Sequence, residues 1–308
     1  MERCRSYEKI YGECVGISMK LSVSMIVKNE EACLYKCLET VKTADEIVVI
    51  DTGSVDNTIN IAKEYTDKVY SGEAYKWIDD FSHSRNQSLN LCTGDWVLII
   101  DADEVLEEDG INKIREAIEN TDKDCLYFKT IGDGSIATHN SIRCFKRKPE
   151  IFWKGAIHNY LNITDGEYTD IKLTYSYSNA HKTDPDRALR ILSKVVKENK
   201  DCKREKFYLA REYYYRQDWK LAIYYYDYYL ETAVWAPEMA DAWVMKAYCY
   251  SNLGNTDKAK DCCLQAIKIN ADFKEAFAFM ANLSGTNNQK KWLEYSHLAN
   301  NEKVLFIR

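Results

Sequence analysis

Two aspartates, Asp101 and Asp103, flank one alanine directly after the apolar run of residues 96–100, and Glu104 follows. Carboxylates at this spacing, at the end of a buried strand, can divide two tasks: one supplies oxygen to a hard divalent cation, the other accepts a hydrogen bond from a ribose hydroxyl. Mg2+ or Mn2+ held there with a diphosphate stabilises the charge that builds as a bond to phosphate breaks. An isolated Asp-x-Asp equally describes the solvated start of an acidic loop. Its position adds weight here, because Asn29, Asp51 and Asp101 each stand at the end of an apolar run.

The elements that must carry these residues follow from periodicity. Residues 21–28, 46–50, 68–70 and 96–100 read as strands, three of them apolar throughout. Between them, residues 31–42, 55–65 and 82–92 have helical spacing, with Ser54 placed as the N-cap of the second helix. Apolar strands alternating with helices imply an α/β fold with a mainly parallel sheet covered on both faces. Right-handed crossovers then bring the strand C-termini to one edge, where ligands bind in such sheets. Residues 125–180 alternate short strand-like runs with turns and read as the far side of the sheet plus a loop that closes the site.

From about Pro185 the pattern becomes helical, with few Gly or Pro and many tyrosines. Leu209, Ala210, Tyr213, Ala222 and Tyr226 recur in kind as Lys246, Ala247, Tyr250, Ala259 and Cys263, and Trp243, Gly254 and Ala266 complete a tetratricopeptide-like pattern. The expected domains are an N-terminal extension over 1–20, a nucleotide-binding domain over 21–182 and an all-α repeat domain over 183–308. The tyrosines at 213–215 and 224–229 fall on all helix faces, so part of them is core and the rest can contact a partner.

Composition removes other classes. A net charge of -6 and the absence of a basic stripe argue against nucleic acid. No apolar run approaches the roughly 20 residues that span a bilayer, and the charged N-terminus has no signal-peptide core. The expectation is a cytoplasmic protein whose 11 cysteines are reduced thiols. The five histidines are not spaced with the cysteines as a zinc set.

Residues 21–160 resemble family 2 of the inverting glycosyltransferases, which have the GT-A fold. The resemblance rests on Asn29-Glu30 after the first strand, Asp51 followed by Gly53, Ser54 and Asp56, the Arg85-Asn86 pair before Gly94-Asp95, and Asp101 with Asp103. It implies a UDP-sugar donor and Mn2+ or Mg2+. Asp51 would accept from the base, Asn29 would line the same pocket with Glu30, Gly53 and Ser54, Asp101 and Ala102 would meet the ribose, Asp103 the metal and Arg85 the diphosphate.

The helical C-terminal part resembles a subgroup acting on peptides, proteins (bacteriocins, flagellins) or surface glycans, so a protein, peptide or glycan acceptor is implied. In that subgroup an aromatic, a Gly and Ile/Val-His-Glu form a later motif. Here it reads Trp153, Gly155, His158 and Asn159, with Asn in place of Glu. Inverting transfer to a hydroxyl needs a base, which Asn cannot provide. His158, a carboxylate such as Asp133, or a thiol acceptor that needs less help each answers this. His181 matches a further histidine of the subgroup and would be a second metal ligand. A sugar-phosphate nucleotidyltransferase would need a glycine-rich loop after the first strand, which is missing. A partner-binding scaffold with an inert front domain is the remaining alternative.

Overall fold

The computed structural model describes residues 19–132, 134, 138–176 and 183–299, and the chain divides into two units after Asp184. The first unit is an α/β domain. Its strands are β1 (Leu21–Val27), β2 (Glu46–Asp51), β3 (Val69–Tyr70), β4 (Trp96–Ile99), β5 (Glu104–Leu106), β6 (Cys125–Gly132), β7 (Thr138–Lys146) and β10 (Glu167–Tyr175), in sheet order β3-β2-β1-β4-β7-β6-β10-β5. Only β7 and β5 run against the other six. A separate antiparallel pair joins β8 (Trp153–Lys154) to β9 (Tyr160–Leu161).

Both faces of the sheet are covered. Helices α1 (Leu34–Val41), α2 (Thr58–Lys63) and α4 (Gly110–Asn120) pack on one face, where Val23, Met25, Val49, Leu98 and Ile100 point. Leu34, Cys37, Leu38 and Val41 of α1 are fully buried there, at the 3-1-3 spacing of one helix face. Each such burial stabilises by about 1.5–3 kcal/mol. The alternate residues Val48, Val97 and Ile99 face α3 (Phe81–Leu91) and the β8–β9 pair. Apolar side chains on both faces explain why these strands read as unbroken apolar runs.

Gly94 and Asp95 serve the opposite edge of the sheet. A Cβ at Gly94 would lie 2.6 Å from Ser22 Oγ and 2.8 Å from Lys20 O. Asp95 accepts from the Lys20 amide at 2.9 Å and its own N–H donates to Lys20 O at 2.8 Å, which sets the start of β4 beside β1.

The second unit is all helical: α5 (Arg187–Glu198), α6 (Arg204–Tyr215), α7 (Trp219–Leu230), α8 (Ala236–Asn252), α9 (Thr256–Ile269), α10 (Lys274–Leu283) and α11 (Thr286–Leu298). The repeat is visible in its joints. Gln217 and Gly254 both take positive φ (62° and 74°) after a helix end. The side chains of Asp218 and Asn255, the next residues, cap α7 and α9 by accepting from the amides of Leu221 and Lys258 at 3.1 Å. Tyr226 and Tyr229 are core, whereas Tyr215 and Tyr224 are more than half exposed.

Among the described residues nine cysteines are unpaired, eight of them buried. No described helix is long and apolar enough to cross a membrane.

Candidate active site

The turn after β1 and the turn after β2 are laced together. The Asn29 amide donates to Ser54 Oγ at 2.8 Å, and the Val55 amide donates to Asn29 Oδ1 at 2.8 Å. The Glu30 amide donates to Thr58 Oγ1 at 2.7 Å, and the Asn57 amide to Glu31 Oε2 at 2.9 Å. Asn29 holds a left-handed φ of 57°, which its short polar side chain tolerates. Ser54 therefore bonds the β1 turn and is not an N-cap. The helix starts later, at Thr58 after Asn57, because Asp56 folds back onto the Thr58 amide at 3.1 Å.

This lacing sets Asp51 at the end of β2, 2% exposed. Its Oδ1 accepts from the amides of Gly53 and Ser54, both at 3.0 Å. Gly53 sits at φ +114°, a conformation that favours glycine. Asp51 Oδ2 is buried with no partner. An unsatisfied buried acceptor costs about 1–3 kcal/mol, and in a native site calls for a donor supplied from outside the chain.

The Asp101–Glu104 turn joins β4 to β5 across the sheet edge. Asp101 Oδ1 accepts from Arg85 of α3 at 2.7 Å, and the Arg85 guanidinium lies 5.0 Å from the Trp153 ring. Arg85 thus faces Asp101 and Trp153, with a side chain 12% exposed. Beneath it, Glu104 accepts from the Asp101 amide at 2.8 Å and takes both terminal nitrogens of Arg143, at 3.0 and 2.7 Å.

The two neighbouring carboxylates titrate apart. Burial opposes ionisation of Asp101, but Arg85 and Arg143 overcome it and hold Asp101 below the ordinary range. Burial and the Asp101 charge push Glu104 up to about 7, against the pull of Arg143. Asp103 is held through its backbone: its carbonyl accepts from the Ser176 amide at 3.0 Å and hydroxyl at 3.2 Å. Ala102 is buried and offers the site only its backbone. Glu104, Arg143 and Ser176 escape a sequence reading because their partners are distant in the chain. An acidic residue opening a buried strand was the one available signal.

The β8–β9 pair closes through residues 155–159, with positive φ at Gly155 (89°) and His158 (49°). Two contacts fix this loop to α3. Asn86 Nδ2 donates to Trp153 O at 3.0 Å while the Trp153 amide donates to Asn86 Oδ1 at 2.8 Å, and the Phe81 amide donates to Ala156 O at 2.8 Å. The Arg85-Asn86 pair therefore binds the Asp101 turn with one side chain and the Trp153 loop with the next. His158 is exposed on that loop, and Asn159 Nδ2 is buried without a partner. Asp133 and His181 lie outside the described residues.

Among the described residues no three His, Cys, Asp or Glu side chains form a metal cluster. That does not conflict with Mg2+ or Mn2+, which bind through one or two carboxylates and complete their shell with substrate phosphates and water. The acid-only oxygens of Asp101 and Asp103 suit such an ion, with Asp103 the carboxylate not taken by Arg85.

The first unit is thus an α/β domain with a mainly parallel sheet whose strand ends gather carboxylates and the orphaned Asp51 Oδ2. In comparison with known proteins, residues 22–169 match the model for glycosyl transferase family 2, and residues 240–273 match that for the tetratricopeptide repeat. The family 2 match falls within the first unit and the repeat match within the second. A TPR repeat-containing protein of Synechococcus elongatus is 34% identical over 154 residues, covering 48% of this chain and 37% of that protein. The prophage-derived glycosyltransferase SunS of Bacillus subtilis is 30% identical over 144 residues, covering 45% of this chain and 34% of SunS. The chain thus spans about a third of the curated relatives it matches. The solved structure of S. aureus TarS 1-349 with UDP-GlcNAc aligns with 13% identity over 91% of this chain and 92% of that one, at a TM-score of 0.47.

Proposed function

We propose that the protein is a metal-dependent glycosyltransferase that moves a hexose or N-acetylhexosamine from a UDP-sugar to a protein, peptide or glycan acceptor with inversion. The observation that carries this reading is the buried, unpartnered Oδ2 of Asp51. It stands at the same sheet edge as the Asp101–Glu104 turn, where a base that donates a ring N–H would satisfy it.

In this reading the laced turns hold the base against Asp51, and Asp101 accepts from the ribose with Arg85 keeping it ionised. Asp103 would hold the divalent cation, which when bound supplies positive charge at the leaving diphosphate. The bond from the anomeric carbon to the phosphate oxygen breaks with its electrons on the diphosphate. A bond forms from the acceptor hydroxyl or thiol on the opposite side, and the acceptor's proton leaves to a base. The Trp153–Asn159 loop is the acceptor-side wall, with His158 its basic side chain and Asn159 Nδ2 a hydrogen-bond donor. The exposed tyrosines of α6 and α7, Tyr215 and Tyr224, are the recognition surface for a protein or peptide acceptor.

Asp103→Ala tests the assignment. UDP release from a UDP-sugar with Mn2+ should vanish while the thermal transition stays in place, since the side chain is outside the core. A variant that keeps most of its turnover at saturating Mn2+ overturns the metal role.

A further inference from the structure

We infer that Lys36, and not Arg85, is the cation that meets the leaving diphosphate; this rests on the nucleotide-sugar reading above. The two arginines near the turn are already committed. Arg85 is bound to Asp101 and layered on Trp153, and Arg143 is forked onto Glu104. Each balances a carboxylate of the chain, so neither leaves charge for a ligand.

Lys36 differs on every count. It projects from the first turn of α1, is exposed, and makes no ion pair among the described residues. It lines a cavity of about 220 Å³ together with Asp103, Cys33, Thr174 and Ser176. Asp103 is the carboxylate assigned to the cation, so Lys36, the one ammonium among the described residues that line the cavity, stands on the wall shared with that carboxylate.

The placement also divides the site. Helix α1 covers one face of the sheet and α3 the other, and the Asp101–Glu104 turn straddles the edge between them. Arg85, Trp153 and the loop to Asn159 belong to the α3 face. Lys36 belongs to α1 and shares its cavity with Thr174 and Ser176.

The charge balance requires such a group. A diphosphate and one divalent cation beside a carboxylate leave net negative charge, which grows as the sugar departs. A lysine on a flexible stem meets phosphate oxygens as a point charge and can follow them as the bond breaks. The hydroxyl of Thr174 adds a neutral donor to the same wall, while that of Ser176 is given to Asp103 O. The ligand class is therefore the diphosphate of a nucleoside diphosphate, recognised apart from its base.

Equilibrium binding of UDP and of uridine, each with Mn2+, to wild type, Lys36→Ala and Lys36→Arg separates the outcomes. Loss of a charge-assisted contact predicts about ten- to a hundred-fold weaker UDP binding in Lys36→Ala. Uridine binding should be unchanged, and Lys36→Arg should recover most of the UDP affinity. UDP affinity within about two-fold of wild type overturns the inference, as does equal weakening of UDP and uridine, which marks a structural effect. Wild-type protein that binds neither ligand overturns the donor reading itself, a result distinct from either.

Discussion

Asp51→Asn separates recognition from folding. The two amides at 3.0 Å hold Oδ1 in place, so the new amide nitrogen takes the position of the orphaned Oδ2. A uracil ring offers N3–H, a donor, at that edge. The variant would set donor against donor and remove a charge-assisted hydrogen bond worth about 1.5–3 kcal/mol, or roughly ten- to a hundred-fold in Kd. A cytosine ring offers an acceptor at N3, so CDP should gain relative to UDP. The free protein meanwhile loses a buried negative charge at a residue only 2% exposed. Its thermal midpoint should hold or rise, the opposite of what a merely structural aspartate would give. The assay is calorimetric titration with UDP and CDP beside a thermal scan. An unchanged UDP Kd, or equal weakening of UDP and CDP, refutes the reasoning.

Asn86→Ala removes both bonds that pin Trp153, about 1 kcal/mol each. Acceptor transfer should fall while donor hydrolysis persists, read as the ratio of glycosylated product to free sugar; a proportional loss of both would contradict the positioning role. Asn159→Asp keeps the shape but replaces the orphaned donor with a carboxylate, and kcat/KM for transfer should drop about ten-fold or more with UDP affinity intact. A gain in rate would instead favour a missing base at this position. Glu46 gives a stability signature: although burial works against ionisation, hydrogen bonds from Lys68, Ser22 and Thr93 lower it from the ordinary 4.5 to about 2. Its contribution is full above pH 4.5 and is lost as pH falls toward 2, so wild type should destabilise more steeply in that window than Glu46→Gln, by thermal scans at stepped pH. Parallel curves for the two proteins would contradict it.

The parts of the fold that read clearly from sequence are those set by local pattern. The apolar runs of β1, β2 and β4 are buried on both faces, and their shortness and β-branched content mark them as covered strands. The repeat was visible because Ala210, Tyr213 and Ala222 recur as Ala247, Tyr250 and Ala259, whereas Gln217-Asp218 and Gly254-Asn255 perform the same turn and cap with different residues, an equivalence that stayed hidden. What stayed hidden depends on partners far along the chain. Ser54 looks like a cap by type and position, yet its hydroxyl serves Asn29 from the other turn. Arg85 has the charge for a phosphate, but Asp101 claims it, a pairing that motif order does not reveal. The Glu104–Arg143 fork spans 39 residues and joins strands that are not neighbours in the sheet, so no local rule brings them together.

The most direct test of the account is UDP formation from a panel of UDP-sugars by purified protein, followed by mass spectrometry with Mn2+ and again with a chelator. The account predicts that one UDP-hexose or UDP-N-acetylhexosamine is consumed, with UDP released only in the presence of metal. Absence of UDP release from every donor with Mn2+, in protein that is folded by thermal scan, would contradict it.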